Sequence, residues 1–260
     1  MAENGASAKR TSRRTAGDPS AYPEGVPCWV EAQLSDVEAG KRFYGELFGW
    51  TFEEAPGESV GARLDGEPVA ALVRKSDGRL PTVWTVYFAA ADAAALAGRI
   101  RAAGGQIVTP PQPVADLGTT ALVTDPQGAV FALWQPAAAT EGTPGFAGFG
   151  QRHVPGAFAW VELYTRDTEA ANAFYGDLFH DALFGPGAAP DFGRAPVSDV
   201  FPAEMPPHFL VHFLVEDCEA ALGAVARLGG RVRVPPFETS YGRVAVVSDG
   251  QGASFALLQR

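Results

Sequence analysis

Residues 28–48 read CWVEAQLSDVEAGKRFYGELF and residues 159–179 read AWVELYTRDTEAANAFYGDLF, so one chain carries the same strand, turn and helix twice. Trp29 and Trp160, Glu31 and Glu162, and Tyr44 and Tyr175 each stand 131 positions apart. Farther on, Asp92 matches Asp217 at an offset of 125, and Asp125, Gln127, Gly128 and Phe131 match Asp249, Gln251, Gly252 and Phe255 at an offset of 124. The second copy is therefore shortened in its middle and once more later. Repeats of this length are duplicated domains, because a solenoid unit is far shorter. The repeat places one domain at 26–135 and a second at 156–260, joined by a linker, 136–155, rich in structure-breaking residues. Residues 1–25 carry the basic run Lys9, Arg10, Arg13 and Arg14 without a hydrophobic period and read as a disordered tail. A targeting signal is the competing reading, against which stand the lack of an apolar run and the presence of Glu3 and Asp18.

Within each copy the pattern doubles again. Residues 28–34 alternate as a strand does, Asp36 is placed to cap a helix to Phe48, and TFEEA, SVGARL and PVAALVR read as three further strands. A strand from TVWTVYFAA, an Ala-rich helix over 92–103 and three more strands repeat the order βαβββ. Gly104-Gly105 and Gly229-Gly230 close the second helix of each copy. In the second copy residues 185–205 are so rich in Gly and Pro that they barely support the middle strands.

A net charge of −10 argues against nucleic-acid or anionic-membrane partners, whose recognition draws on clustered Lys and Arg. No stretch offers the roughly 18 uncharged apolar residues of a membrane span. The two cysteines, Cys28 and Cys218, form no C-x-x-C pair, which fits a reducing cytoplasm.

Two βαβββ modules per copy, a strand ending in Trp-Val-Glu, the helix F-Y-G-x-L-F and the closing D-P-Q-G-A-x-F-A-L resemble the vicinal oxygen chelate superfamily, which includes glyoxalase I, extradiol dioxygenases and bleomycin-resistance proteins. The likeness extends over nearly all of 26–260 and is nearest to tandem-domain actinobacterial proteins often labelled hydroxylase or glyoxalase-like. It implies an α+β fold in which each domain curves a mixed sheet around a pocket, with helices outside. Metal-dependent members place His, Gln or Glu on the first, fourth, fifth and last strands. Matched on the F-Y and D-P-x-G landmarks, those positions hold Trp29, Thr85 and Ala132 in the first copy and Trp160, Leu210 and Ala256 in the second, while residues 68–73, PVAALV, offer no carboxylate. Three or four N or O donors are needed for a divalent ion, so no metal and no cofactor is expected.

If position 29 looks inward, alternation puts Trp29 and Glu31 on the pocket face together with Tyr87 and Trp134, and in the second copy Trp160, Glu162, Tyr164, Leu210, His208 and His212. The two histidines lie four apart on a strand, roughly 13 Å at ~3.3 Å per residue, and cannot share a metal. Where the first copy reads DLGTT the second reads SYGRV, adding Tyr241 and Arg243. Large aromatics at 29 and 160 also suit plain core, and each Glu also suits a wet rim or an ion pair with Arg243.

Two functions fit the residues, and the sequence favours the first. The first is metal-independent binding of a hydrophobic or aromatic small molecule between Trp walls, as resistance proteins sequester an antibiotic. The alternative is a cofactorless tailoring enzyme, a hydroxylase, cyclase or isomerase of secondary metabolism, with His212 as first proton carrier, then Glu162, Tyr241 and His208. Oligomeric state is open in both.

Overall fold

The computed structural model describes residues 22–55, 59–138, 145–189, 191–202 and 204–260. The repeated segment folds as its pattern dictates. Strand β1 (Pro27–Leu34) leads into α1 (Val37–Phe48), whose N-cap Asp36 accepts a hydrogen bond from the Ala39 amide. Strands β2 (Thr51–Ala55), β3 (Ser59–Leu64) and β4 (Glu67–Arg74) complete the first module. The second module is β5 (Val83–Ala89), α2 (Ala93–Ala102), β6 (Gln106–Val114), β7 (Gly118–Thr124) and β8 (Val130–Pro136). Their eight strands form one curved mixed sheet in the order β2-β3-β4-β1-β5-β8-β7-β6, the modules joined by the antiparallel pair β1–β5.

The second domain runs β9 (Phe158–Thr165), α3 (Thr168–Leu183), β10 (Phe192–Pro196), a 3-10 turn (Val197–Asp199), β11 (His208–Leu214), α4 (Cys218–Arg227), β12 (Arg231–Thr239), β13 (Gly242–Ser248) and β14 (Ser254–Gln259). Its sheet order is β10-β9-β11-β14-β13-β12. Strand β9 pairs in parallel with β10 and antiparallel with β11, as β1 does with β4 and β5, so β10 takes the place of β4. Among the described residues no strands stand where β2 and β3 stand in the first sheet. The Gly- and Pro-rich stretch cannot supply two laddered strands, and Val197, Val200 and Phe201 pack onto the sheet instead. Gly104 and Gly229, just past α2 and α4, take φ of 96° and 84°, the left-handed backbone that ends a helix and that side chains resist.

Alternation sorts every strand into two faces. Val30, Ala32 and Leu34 of β1, and Val161 and Leu163 of β9, point to the helices and join one continuous core that spans both domains. In that core each F-Y-G helix packs against the other domain. Phe43 and Phe48 of α1 meet Phe255 and Phe213, while Tyr175 of α3 meets Phe131. The hydroxyl of Tyr44 donates to Asp249 at 3.0 Å and that of Tyr175 to Asp125 at 3.2 Å, a pseudo-twofold pair. Gln251 brackets the backbone of Asp36 with two 2.8 Å bonds, and Gln127 does the same to Asp167. The repeated Tyr, Asp and Gln are thus the fastenings between the domains.

Of the segment read as a tail, residues 1–21 lie outside the described residues, whereas Gly25 donates its amide to Ala89 and the Tyr22 hydroxyl donates to the Phe149 carbonyl at 2.9 Å. Residues 145–155, read as linker, also carry defined contacts. Arg152 and His153 both pair with the buried carboxylate of Asp191, the latter at 2.6 Å. No helix among the described residues is long and apolar enough to cross a membrane.

Candidate functional site

On the concave face of the first sheet, Trp29 and Tyr87 are direct cross-strand partners on β1 and β5, and Tyr87 faces Ala132 on β8. The Tyr87 hydroxyl donates to Glu31 at 2.5 Å. Burial drives the Glu31 carboxyl up, partly opposed by bonds from Tyr87 and the Trp29 indole, and it drives the Tyr87 phenol well up. This face is closed by the chain itself. Phe146 meets Trp29 edge-on at 4.8 Å between ring centres, Phe149 lies 5.5 Å from Trp29 and stacks on Phe158 at 4.7 Å, and the Trp134 indole donates to the Phe146 carbonyl. The expected ligand-binding group Trp29, Glu31, Tyr87 and Trp134 is therefore brought together, but under a lid of linker aromatics. The only hint in the sequence was the pair of phenylalanines inside a Gly-rich connection.

The second concave face is built differently at the same register. Trp160 on β9 faces His212 on β11, where the first sheet has Trp29 and Tyr87, and Glu162 faces Leu210. Tyr164, two residues on, donates to Glu162 Oε2 at 2.7 Å, and Tyr241 from the β12–β13 turn donates to the same oxygen at a longer 3.4 Å. His212 Nε2 stands 3.9 Å from that oxygen. Trp160 lies against Tyr241 at 4.4 Å and His212 at 5.4 Å between ring centres. The face is finished by His208, stacked on Tyr164, and by Phe201, edge-on to both. This apolar set, with Leu210, Val244, Val246 and Leu258, is a cluster separate from the main core, because no linker aromatic bridges the two. Six of the expected residues (His212, Glu162, Tyr241, Trp160, Tyr164, Leu210) thus converge, and His208 sits at the edge with its Nδ1 2.9 Å from the Pro206 carbonyl.

Electrostatics reassigns their roles. Glu162 is 6% exposed, and burial raises its carboxyl even though the hydroxyls of Tyr164 and Tyr241 pull the other way; Asp199 raises it further. The phenols of Tyr164 and Tyr241 are also pushed up by burial and by the Glu162 charge. His212 is fully buried, and desolvation brings its imidazolium down to about 3. It is neutral at physiological pH, so the expectation of His212 as a carrier that charges near neutrality does not fit its burial. His208 is lowered as well, again by burial. The second correction concerns Arg243. It lies on β13 at the parity of Ala245 and Val247, which face the helices, and it pairs with Glu219 at 2.6 Å. Tyr241 and Arg243 are two apart, yet Tyr241 belongs to the turn, where strand alternation does not hold.

Two nitrogens in the cluster lack a hydrogen-bond partner although buried: Trp160 Nε1 and His212 Nε2. Because the carbonyl of Leu210 only accepts, the contact from His212 Nδ1 at 3.1 Å fixes the proton on Nδ1 and leaves Nε2 as a lone pair. Two cavities lie elsewhere. One of about 350 Å³ opens between Leu47, Phe48 and the alanines of α4, and one of about 160 Å³ lies beside Tyr22, Ala90 and Trp134. The first has Glu216 and Asp217 beside Phe48 in its lining, and the second has Glu24 beside Tyr22 and Trp134.

Residues 29–133 match the family described as Glyoxalase/Bleomycin resistance protein/Dioxygenase superfamily. The anthracycline biosynthesis protein DauV of Streptomyces sp. (strain C5) is 33% identical over 92% of this chain and 94% of its own. CFP32 of Mycobacterium tuberculosis is also 33% identical, over 92% of this chain and 97% of its own. Among solved structures, the 2,3-dioxygenase LapB of Pseudomonas sp. KL28 superposes with a TM-score of 0.61 at 14% identity, covering 92% of this chain and 94% of that one, which is a likeness of fold. The metal that such a fold can carry does not suit these residues. Among the described residues no three of His, Cys, Asp and Glu converge. At the corresponding place in the second sheet the nearest donors are one carboxylate, already bonded to tyrosines, and one imidazole.

Proposed function

We propose that this chain, which belongs to the Glyoxalase/Bleomycin resistance protein/Dioxygenase superfamily, is a tailoring enzyme of secondary metabolism that moves a proton on a flat aromatic molecule in its second domain. The observation that carries this reading is Glu162, a buried carboxylate made more basic by desolvation and set between two tyrosine hydroxyls and an aromatic wall. A carboxylate in that setting removes a proton from an acidified C–H or O–H of the bound molecule, and the Tyr164 hydroxyl steadies the charge that moves between substrate and Glu162. Returned to another atom of the same molecule, the proton completes an isomerisation or ring closure that consumes no oxidant, reductant or metal. The relationship to a protein named for anthracycline biosynthesis supports a fused-ring aromatic substrate and favours tailoring over simple sequestration. The two buried free thiols suit work in the reducing cytoplasm.

The test is solvent exchange. Anthracycline-type intermediates are incubated with the protein in deuterated water and analysed by mass. The reading requires deuterium at carbon or a changed retention time, slowed at least about 100-fold in Glu162→Gln while affinity shifts only about threefold or less. Tight binding with every ligand recovered unlabelled and unchanged would replace the enzyme with a sequestering protein.

A further inference from the structure

The two unpaired nitrogens of the second sheet form a complementary set. The Trp160 indole only donates, and His212 Nε2, with its proton fixed on Nδ1, only accepts. They belong to directly opposed residues on β9 and β11, with ring centres 5.4 Å apart. The benzo edge of Trp160 lies over Gly193 of β10, so close that a Cβ there would collide with it. That leaves the N–H on the edge of the ring away from β10. Buried polar atoms are nearly always paired, so a buried donor and a buried acceptor left open side by side describe the groups of a guest. The carboxylate next to them is already bonded to Tyr164, and its second donor, Tyr241, reaches it at the limit of a hydrogen bond.

Resting on the reading of this face as the working site, we propose that it recognises an aromatic ring system bearing a hydroxyl and a carbonyl on one edge. The carbonyl accepts from Trp160 Nε1 and the hydroxyl donates to His212 Nε2. The ring lies where Tyr241 now stacks on Trp160. Tyr241 is therefore the gate: it sits on the turn between β12 and β13, half-buried, and lies against Trp160 in the free protein. The first sheet cannot bind in this way, because Tyr87 stands in the place of His212 and bonds to Glu31, and Phe146 and Phe149 occupy the space over Trp29.

Three bicyclic probes isolate the claim: a hydroxytetralone with hydroxyl and carbonyl on the same edge, tetralone itself, and the tetrahydronaphthol that keeps only the hydroxyl. Affinities are read by protein-observed NMR and tryptophan fluorescence on the full chain. The hydroxytetralone should bind at least about 10-fold more tightly than either single-group probe, since each lost partner leaves a buried atom open. In Trp160→Phe the advantage of the carbonyl should vanish, and in His212→Leu that of the hydroxyl, while Tyr241→Ala should speed association. Equal affinity of the three probes, or an advantage untouched by both Trp160→Phe and His212→Leu, overturns the proposal. The two variants protect against a folding failure of one. Discrimination without any solvent exchange would leave this inference standing and remove the enzyme, and exchange without discrimination would do the reverse.

Discussion

His212 Nε2 stands 3.9 Å from Oε2 of Glu162, too far to share a proton with it. The imidazole and the carboxyl of the second sheet are thus held apart, with burial making each reluctant to charge. For His212 this reluctance has a measurable sign. Its imidazole is lowered from 6.5 to about 3 in the folded chain, so below pH 6.5 the unfolded chain binds a proton that the folded chain refuses. Stability from this group is complete above 6.5 and is lost as pH falls toward about 3, at up to about 1.4 kcal/mol per pH unit. Urea midpoints at several pH values should fall more steeply for the wild type than for His212→Leu; parallel profiles would mean that His212 is not buried in solution. Glu162 works in the opposite direction, because a raised carboxyl loses its contribution as pH rises through its folded value.

The interdomain fastenings predict an asymmetry. Tyr44 donates to Asp249 and also accepts from the Trp84 indole at 3.1 Å, whereas in the other copy Phe209 stands at the place of Trp84 and Tyr175 has only Asp125. Tyr44→Phe leaves a buried indole N–H open and should cost about 1–3 kcal/mol, more than Tyr175→Phe. Chemical denaturation of both variants measures this, and an equal or reversed loss would contradict it.

Much of this was legible in the chain. The offsets between copies pointed to one fold made twice, and period-two alternation assigned Trp160, Glu162, Tyr164, Leu210 and His212 to one face, because on a strand the face depends only on parity. Gly and Pro at 185–205 foretold the missing strands. What was not legible is non-local. The ionisation of His212 is set by its burial, partly opposed by the Leu210 carbonyl, and residue type alone gives only the unperturbed 6.5. Arg243 was expected at the site because the loop SYGRV differs from DLGTT there, and a loop difference alone does not say which face of β13 the side chain takes. The covering of Trp29 depends on where a linker returns, which no strand pattern encodes.

Gly193 offers a check on the wall of the site. A Cβ there runs into Trp160, which can tilt because it is only partly buried, so Gly193→Ala should change ligand affinity far more than stability. Near-wild-type affinity with a lowered melting temperature would show that Trp160 is core and not wall.

The closing of the first sheet leads to a prediction about stoichiometry. Trp29 is 5% exposed and wedged between Phe146 and Phe149, while Trp160 keeps part of its surface open. Trp29→Ala removes a fully packed ring and should cost about 3–5 kcal/mol of stability, with ligand affinity unchanged. Trp160→Ala should cost less stability and weaken binding by about 1–3 kcal/mol through lost burial and stacking. Calorimetry of the wild type should then return one ligand per chain despite two copies of the domain. Phe149→Ala is the sharper variant, since removing the ring that joins Trp29 to Phe158 opens the first concave face without touching the second. It should leave the first binding event as it was and add at most a weak second one that Trp29→Phe alters. Two equal sites in the wild type, or a single site abolished by Trp29→Ala and indifferent to Trp160→Ala, would place the working face in the first domain.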